Sequence, residues 1–274
     1  MRFDASLHLV LNPDLAAIDA FSALPAARYA EIVDGQARAL KRDGFTSGHL
    51  WCSDARWVSS AAKVRALARE TRRAGLRLSA AVDPRRASAA AEASQPGLDG
   101  IVLSPVHAGF GEEVCGKPAW RKLVARLKKL GRPVFVTTAY GTPELYRYDS
   151  LRVLARLLED LGGACPVVAL HGGGHRFREL ALLADAHPRL SIDLSFTVRY
   201  YAGSSLENDW AWGLRKLGPA RFLFGSDEPF ASRDATLADY ERLMKAAGWD
   251  AAGRVRVLSG NARTLFAATE VNRV

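Results

Sequence analysis

Short apolar runs alternate with longer amphipathic stretches along nearly the whole chain. The apolar runs Phe3–Val10, Phe45–Cys52, Leu76–Val82, Gly100–Leu103, Pro133–Thr138, Pro166–Leu170, Leu190–Leu194 and Arg221–Gly225 have the length and composition of buried strands. Between them the apolar positions recur at helical spacing over Ala26–Lys41, Ala61–Ala74, Ala87–Ala93, Ala119–Leu130, Leu151–Leu161, Phe177–His187, Asn208–Leu217 and Leu237–Ala247. Glycine punctuates the helix ends at Gly44, Gly75, Gly131, Gly162 and Gly218, as C-caps require. Eight strands alternating with eight helices predict a parallel sheet covered by helices, closed at that number into a (β/α)8 TIM barrel. An open doubly wound sheet would place a Gly-rich phosphate loop after the first strand, and none follows Val10. No linker or low-complexity tract divides the chain, so one domain over residues 1–274 is expected.

Composition narrows the function classes. The 274 residues carry a formal charge of +9, but the basic residues are dispersed over helix faces, as in Arg65, Arg69, Arg72 and Arg73. No nucleic-acid motif accompanies them, so they suggest at most a field favourable to a small anionic molecule. No apolar run reaches the ~20 residues of a membrane span. The first residues lack the shape of a signal peptide, and Cys52, Cys115 and Cys165 show no ligand or disulfide spacing. A cytoplasmic location is the resulting expectation. Oligomeric state is open, with a homo-oligomer compatible with the pattern.

In a barrel of this kind the chemistry sits at the C-terminal ends of the strands. Those ends are rich in titratable and polar residues: Asp4, Ser6 and His8; His49 and Trp51; Ser104 and His107; Thr137, Thr138 and Tyr140; His171-Gly-Gly-Gly-His175; Asp193, Ser195, Arg199 and Tyr200; and Asp227. Each has a bland reading, such as a satisfied core histidine or a capping aspartate. His49 and His107 read more readily as structural than as catalytic. Their convergence on one face is the argument for a functional site. The stretches Pro13–Pro25 and Arg199–Asn208 interrupt the alternation and are candidate lids or interface pieces.

Several segments resemble the amidohydrolase superfamily, in particular its amidohydrolase-2 branch of aminocarboxymuconate-semialdehyde decarboxylase-like enzymes and pyrone-dicarboxylate lactonases. They are Phe3-Asp-Ala-Ser-Leu-His8, Leu103-Ser-Pro-Val-His107, Pro133-Val-Phe-Val-Thr137, Ala169-Leu-His-Gly-Gly-Gly174, Leu223-Phe-Gly-Ser-Asp-Glu-Pro229 and Asn261-Ala-Arg-Thr-Leu-Phe266, in the family's order. The resemblance implies metal ligands at four places, here occupied by Ser6, His8, Thr137 and Asp227. Two of the four are hydroxyls, which are poor ligands for a catalytic zinc. The expectation is therefore a hydrolase without a tightly held metal and with no required cofactor. Zinc or manganese on His8 and Asp227 would revive a metal-dependent reading. Asp227 is assigned as general base, with His8 and His171 polarising a carbonyl. Ser6, Thr137, Thr138, Tyr140, Arg147, Arg199 and Tyr200 are assigned to the substrate, a small and anionic lactone, ester or amide. The competing expectations are a metal-dependent non-oxidative decarboxylase and a non-catalytic relative that binds a small anion.

Overall fold

A computed structural model describes residues 1–9, 21–139, 141 and 143–271. Eight parallel strands follow one another around a barrel: β1 (Arg2–His8), β2 (Phe45–Cys52), β3 (Arg77–Ala81), β4 (Gly100–Leu103), β5 (Val134–Thr137), β6 (Val167–Leu170), β7 (Leu190–Asp193) and β8 (Phe222–Leu223). Each is followed by a helix: α1 (Tyr29–Arg42), α2 (Ala61–Arg73), α3 (Ala89–Glu92), α4 (Pro118–Leu130), α5 (Ser150–Leu161), α6 (Phe177–Ala186), α7 (Leu206–Leu217) and α8 (Arg233–Ala246). This is the (β/α)8 barrel that the alternation predicts. The end of the first predicted strand, Val10, and most of the Pro13–Pro25 segment lie outside the described residues.

The helices form for ordinary reasons. In α5, Leu151, Leu154, Leu157, Leu158 and Leu161 share a buried face. The Asp149 carboxylate caps the helix by accepting the Leu151 and Arg152 amides, and Gly162 ends it in a left-handed conformation. Such faces pack against the outside of the sheet and form the larger of two cores.

The second core fills the barrel. Phe3, Ala5, Trp51, Ala81, Val102, Phe135, Val168, Leu170 and Leu223 point inward, and Ala262 and Phe266 of the C-terminal helix Asn261–Val271 join them. Phe266 stacks on Phe3 and Phe135, with ring centroids 5.7 and 6.0 Å apart, and so plugs one end. Asn261 donates from its amide to the carbonyls of Pro219 and Phe222, 2.7 Å each, and ties that helix to the start of β8. The Asn-Ala-Arg-Thr-Leu-Phe motif is therefore a barrel plug.

Strand eight is shorter than the predicted Arg221–Gly225. Beyond Leu223 its backbone leaves the regular ladder: Phe224 donates to Val257 O and accepts from Ala5 N. Asp227 N then donates to Ser6 O, and His8 N to Glu228 O, both at 2.9 Å. These bonds join the end of β8 to β1. The approach is close. A Cβ on Gly225 would sit 2.6 Å from Asp193 Oδ1 and 2.7 Å from the Ser6 Cβ, so only glycine fits there.

Candidate functional site

Three non-glycine residues of the described chain have positive φ, and all three stand at the ends of adjacent strands: His171 (66°), Phe196 (60°) and Asp227 (67°). Left-handed backbone at ordinary residues is uncommon and clusters at functional sites. Asp227 is reached through Gly225 and Ser226. The Ser226 amide donates to Asp4 Oδ1 at 2.9 Å, and its hydroxyl accepts the Glu228 amide at 3.1 Å. His171 opens a run in which Gly172, Gly173 and Gly174 also have positive φ. Leu170 O and Gly173 N are stitched together by the Thr138 hydroxyl at 2.6 and 2.8 Å.

These turns bring the predicted trio together. His8 Nε2 lies 2.7 Å from Asp227 Oδ1, and the side chains are 5% and 4% exposed. A carboxylate only accepts, so Nε2 carries the hydrogen. His8 Nδ1 is buried and has no hydrogen-bond partner among the described residues. His171 Nδ1 lies 3.9 Å from the same carboxylate oxygen, beyond a hydrogen bond but close enough to feel its charge. Burial holds the His171 imidazole below its usual range, against the upward pull of Asp227.

Rings close around this group. Trp51 packs 4.1 Å from His8 and 6.3 Å from His171, and its indole N–H donates to the Ser6 hydroxyl at 3.2 Å. Phe230 meets His8 edge-on at 4.8 Å, and Phe196 meets His171 edge-on at 5.9 Å. Tyr200, 55% exposed, stacks on Phe196.

The other expected substrate residues are spread more widely. Thr137 is buried and its hydroxyl bonds Ser104 Oγ at 3.1 Å. Thr138 spends its hydroxyl on the glycine turn described above. Arg199 donates to Asp239 on α8 at 2.7 Å. Arg147 is exposed and lies over the Tyr148 ring, 5.9 Å from its centroid. Tyr140 lies outside the described residues. Of the second candidate lid, Thr197–Tyr200 is a short helix and Leu206–Asn208 begins α7. A surface cleft of about 130 Å³ lies beside the glycine turn, lined by Thr138, Gly173, Tyr146, His175 and Arg176 among others, and none of the trio lines it.

Two histidines with undecided roles separate clearly. His49 lies inside the barrel, fully buried, and bonds to Ala5 O and Ser79 Oγ. His107 stands open to solvent at the rim, with Nδ1 3.3 Å from Ser104 Oγ. Its crowded flanks, then the neighbouring His8 and His171, hold it below the usual imidazole range. His107 therefore shares the electrostatic field of the trio. Its place directly after β4 was the available signal.

The sequence places Asp193 and Ser195 at a strand end without a role, and gives no sign of Arg233. Asp193 and Ser195 on the strand-seven side back His171. Arg233, buried at the start of α8, donates to Asp4 at 2.9 Å and also pairs with Asp43 and Glu228. Arg233 thereby clamps both sides of the Asp227 turn. Burial raises the Asp4 and Glu228 carboxyls, and the Arg233 guanidinium opposes that shift.

The metal implied by the resemblance does not fit these residues. Ser6 Oγ already accepts the Trp51 indole N–H, and Thr137 Oγ1 is bonded to Ser104. His8 Nε2 is committed to Asp227. Among the described residues, no group of three or more His, Cys, Asp or Glu side chains is arranged to hold a metal ion.

The structure is similar to an amidohydrolase from Burkholderia multivorans (TM-score 0.69, 19% identity, covering 97% of this chain and 99% of that one). It is also similar to 2,6-dihydroxybenzoate decarboxylase from Rhizobium (0.63, 17%, covering 98% and 99%). A third likeness is to a candidate 2-pyrone-4,6-dicarboxylic acid hydrolase from Pseudomonas putida (0.61, 22%, covering 97% of each chain). At these identities the likeness establishes the fold alone. No curated protein sequence matches the chain. No described helix is long and apolar enough to cross a membrane. The amidohydrolase family model matches residues 4–267, nearly the whole barrel, and the chain belongs to that family.

Proposed function

We propose that this chain is a hydrolase of small lactones, esters or amides in which Asp227 is the general base. The observation that carries the reading is the Asp227 carboxylate itself. It is held in left-handed backbone at a strand end, buried, and bonded by His8 at 2.7 Å. A water beside the carboxylate gives its proton to Asp227 as its oxygen adds to the substrate carbonyl. The tetrahedral intermediate then expels the alkoxide or amine, which takes that proton back from Asp227. His8 orients the carboxylate through Nε2. Its unpartnered Nδ1 is then an acceptor open to a donor group of the substrate. The Trp51, Phe196 and Phe230 rings around the two imidazoles suit a small planar substrate.

An activated lactone or ester is the better substrate class. Without a Lewis acid, several kcal/mol of transition-state stabilisation must come from hydrogen bonds alone. The dispersed basic surface favours an anionic form of that substrate. The second reading, decarboxylation of a small aromatic acid, is favoured by the likeness to the Rhizobium decarboxylase.

The test is a screen of carboxylated lactones, aryl esters, anilides and hydroxybenzoates, reading acid release and carbon dioxide separately. Asp227→Asn should lower turnover of any hydrolysed substrate by roughly 10³-fold or more while leaving unfolding unchanged. Carbon dioxide release without hydrolysis would overturn the hydrolase reading, and an active Asp227→Asn protein would overturn the role of Asp227.

A further inference from the structure

We propose that Asp193 is a positioning residue that acts through the Ser195 hydroxyl to lock His171 as its Nδ1–H tautomer, with Nε2 as a hydrogen-bond acceptor.

The argument begins at His171 Nδ1. It lies 3.2 Å from the Ser195 carbonyl oxygen and 3.1 Å from the Ser195 hydroxyl. A carbonyl oxygen only accepts, so this long contact favours a hydrogen on Nδ1 without fixing it there. The hydroxyl could in isolation play either part. Asp193 decides it: the Ser195 hydroxyl donates to Asp193 Oδ2, so its lone pairs turn toward His171. Both groups at Nδ1 are then acceptors, and a neutral His171 must hold its lone pair on Nε2.

Asp193 is itself tightly held. Its Oδ1 accepts the Ser195 amide at 2.8 Å and the Tyr240 hydroxyl at 3.0 Å. Tyr240 comes from α8, and its oxygen accepts the Leu194 amide at 2.6 Å. The opposite flank is Gly225, where a side chain would strike Asp193 Oδ1. Asp193, Ser195 and His171 are all at most 3% exposed, so no solvent competes for these bonds. The Thr197 hydroxyl donates to His171 O and fixes the backbone side of the ring. This arrangement has the logic of a carboxylate that orients a histidine, with one serine inserted between them.

The consequence rests on the hydrolase reading. A neutral His171 cannot polarise a carbonyl through Nε2. It instead accepts a hydrogen bond, either from the attacking water or from a substrate hydroxyl, and so aims that group beside Asp227. On this proposal His171 has a different role from the polarising one that the sequence suggests.

The tautomer can be read without any substrate, by two-bond ¹⁵N–¹H NMR of the full chain labelled at histidine. The signals of His171 are those lost in His171→Gln. Spectra are taken well above pH 7, since burial pushes the Asp193 carboxyl up to about 7. The wild type should show a pyrrole-type Nδ1 and a pyridine-type Nε2 at His171. In Asp193→Asn the amide donates into the serine oxygen and turns the hydroxyl hydrogen onto Nδ1, so the pyrrole-type Nδ1 signal should be lost or averaged. Ser195→Ala, which keeps Asp193, should also broaden or average the pair, and it answers alone if the Asn variant does not fold. A pyridine-type Nδ1 in the wild type, or an unchanged His171 pattern in whichever variants fold, would overturn the proposal. Failure of the hydrolase reading shows instead in the Asp227→Asn turnover assay and leaves this spectrum untouched.

Discussion

Acid should destabilise this barrel through His49. His49 is fully buried on β2, stacked 4.3 Å from the Phe135 ring and tilted against Phe266 at 5.1 Å. Nδ1–H donates to Ala5 O at 2.9 Å, and Nε2 therefore accepts from the Ser79 hydroxyl at 2.7 Å. A second proton on Nε2 would face a hydroxyl hydrogen in an apolar interior. Burial accordingly pushes this imidazole down to about 4 from 6.5. The folded value lies below the unfolded one. Above about pH 6.5 neither state is protonated there and His49 costs nothing. As the pH falls from 6.5 to 4, the unfolded chain takes up a proton that the folded chain refuses, so stability is lost across that window and levels off below it. The loss is roughly 3 kcal/mol at pH 4, at 1.36 kcal/mol for each pH unit between the two values. The assay is equilibrium urea unfolding between pH 8 and 4, comparing the wild type with His49→Gln. Glutamine keeps a donor for Ala5 O and an acceptor for Ser79 but cannot titrate. Asp193 works in the opposite sense: its carboxyl is raised to about 7, so its contribution is present in acid and lost as pH rises from about 4 to 7. It is common to both proteins and cancels in the difference. The glutamine variant should gain about 3 kcal/mol on the wild type between pH 7.5 and 4. Parallel stability curves would refute the reasoning.

Two other perturbations follow from the site. Replacing Arg233 with Met leaves Asp4, Asp43 and Glu228 without their shared cation and should cost about 3–5 kcal/mol, read as a lower urea midpoint; an unchanged midpoint would show that the clamp is not structural. Zinc or manganese titrated calorimetrically into the full chain should show no binding tighter than the micromolar range, since Ser6 and Thr137 supply hydroxyls where imidazoles are needed; tight stoichiometric binding that Asp227→Asn abolishes would restore a metal-dependent mechanism.

Strand pattern and strand ends were legible because they are local. A buried strand must be apolar whatever it pairs with, and a strand-end glycine, serine and aspartate announce a sharp turn in any context. His8, His171 and Asp227 could be placed together because consecutive barrel strands put their ends on one face. The partners could not be read this way. Arg233 reads as an ordinary first-turn residue of α8, and its bond to Asp4 spans 229 positions. Asp193 and Ser195 lie in the sequence as a strand-end pair with no sign of which histidine they serve. Thr138 carries the same hydroxyl as Thr137, yet a single-residue step turns it from the barrel interior to the glycine turn. The alternation of strand side chains fixes a face, but the turn that follows decides what the last side chain meets. For the same reason the sequence does not show that the short helix after β7 directs Arg199 to Asp239.

The two hydroxyls at positions 6 and 137 are both engaged by neighbouring side chains. The Trp51 indole packs against His8 at 4.1 Å and donates to the Ser6 oxygen. Ser6 thereby serves as an acceptor for a tryptophan. Thr137 bonds Ser104, which in turn contacts His107. What remains is a carboxylate with imidazoles as its close neighbours. The buried guanidinium of Arg233 cannot serve as the missing cation, because it is already shared among three carboxylates below the turn. The Asp227 carboxylate therefore has the His8 imidazole, and not a guanidinium, as its hydrogen-bond partner. The proposed general-base role uses that pair: His8 holds the carboxylate in place while it takes a proton from water.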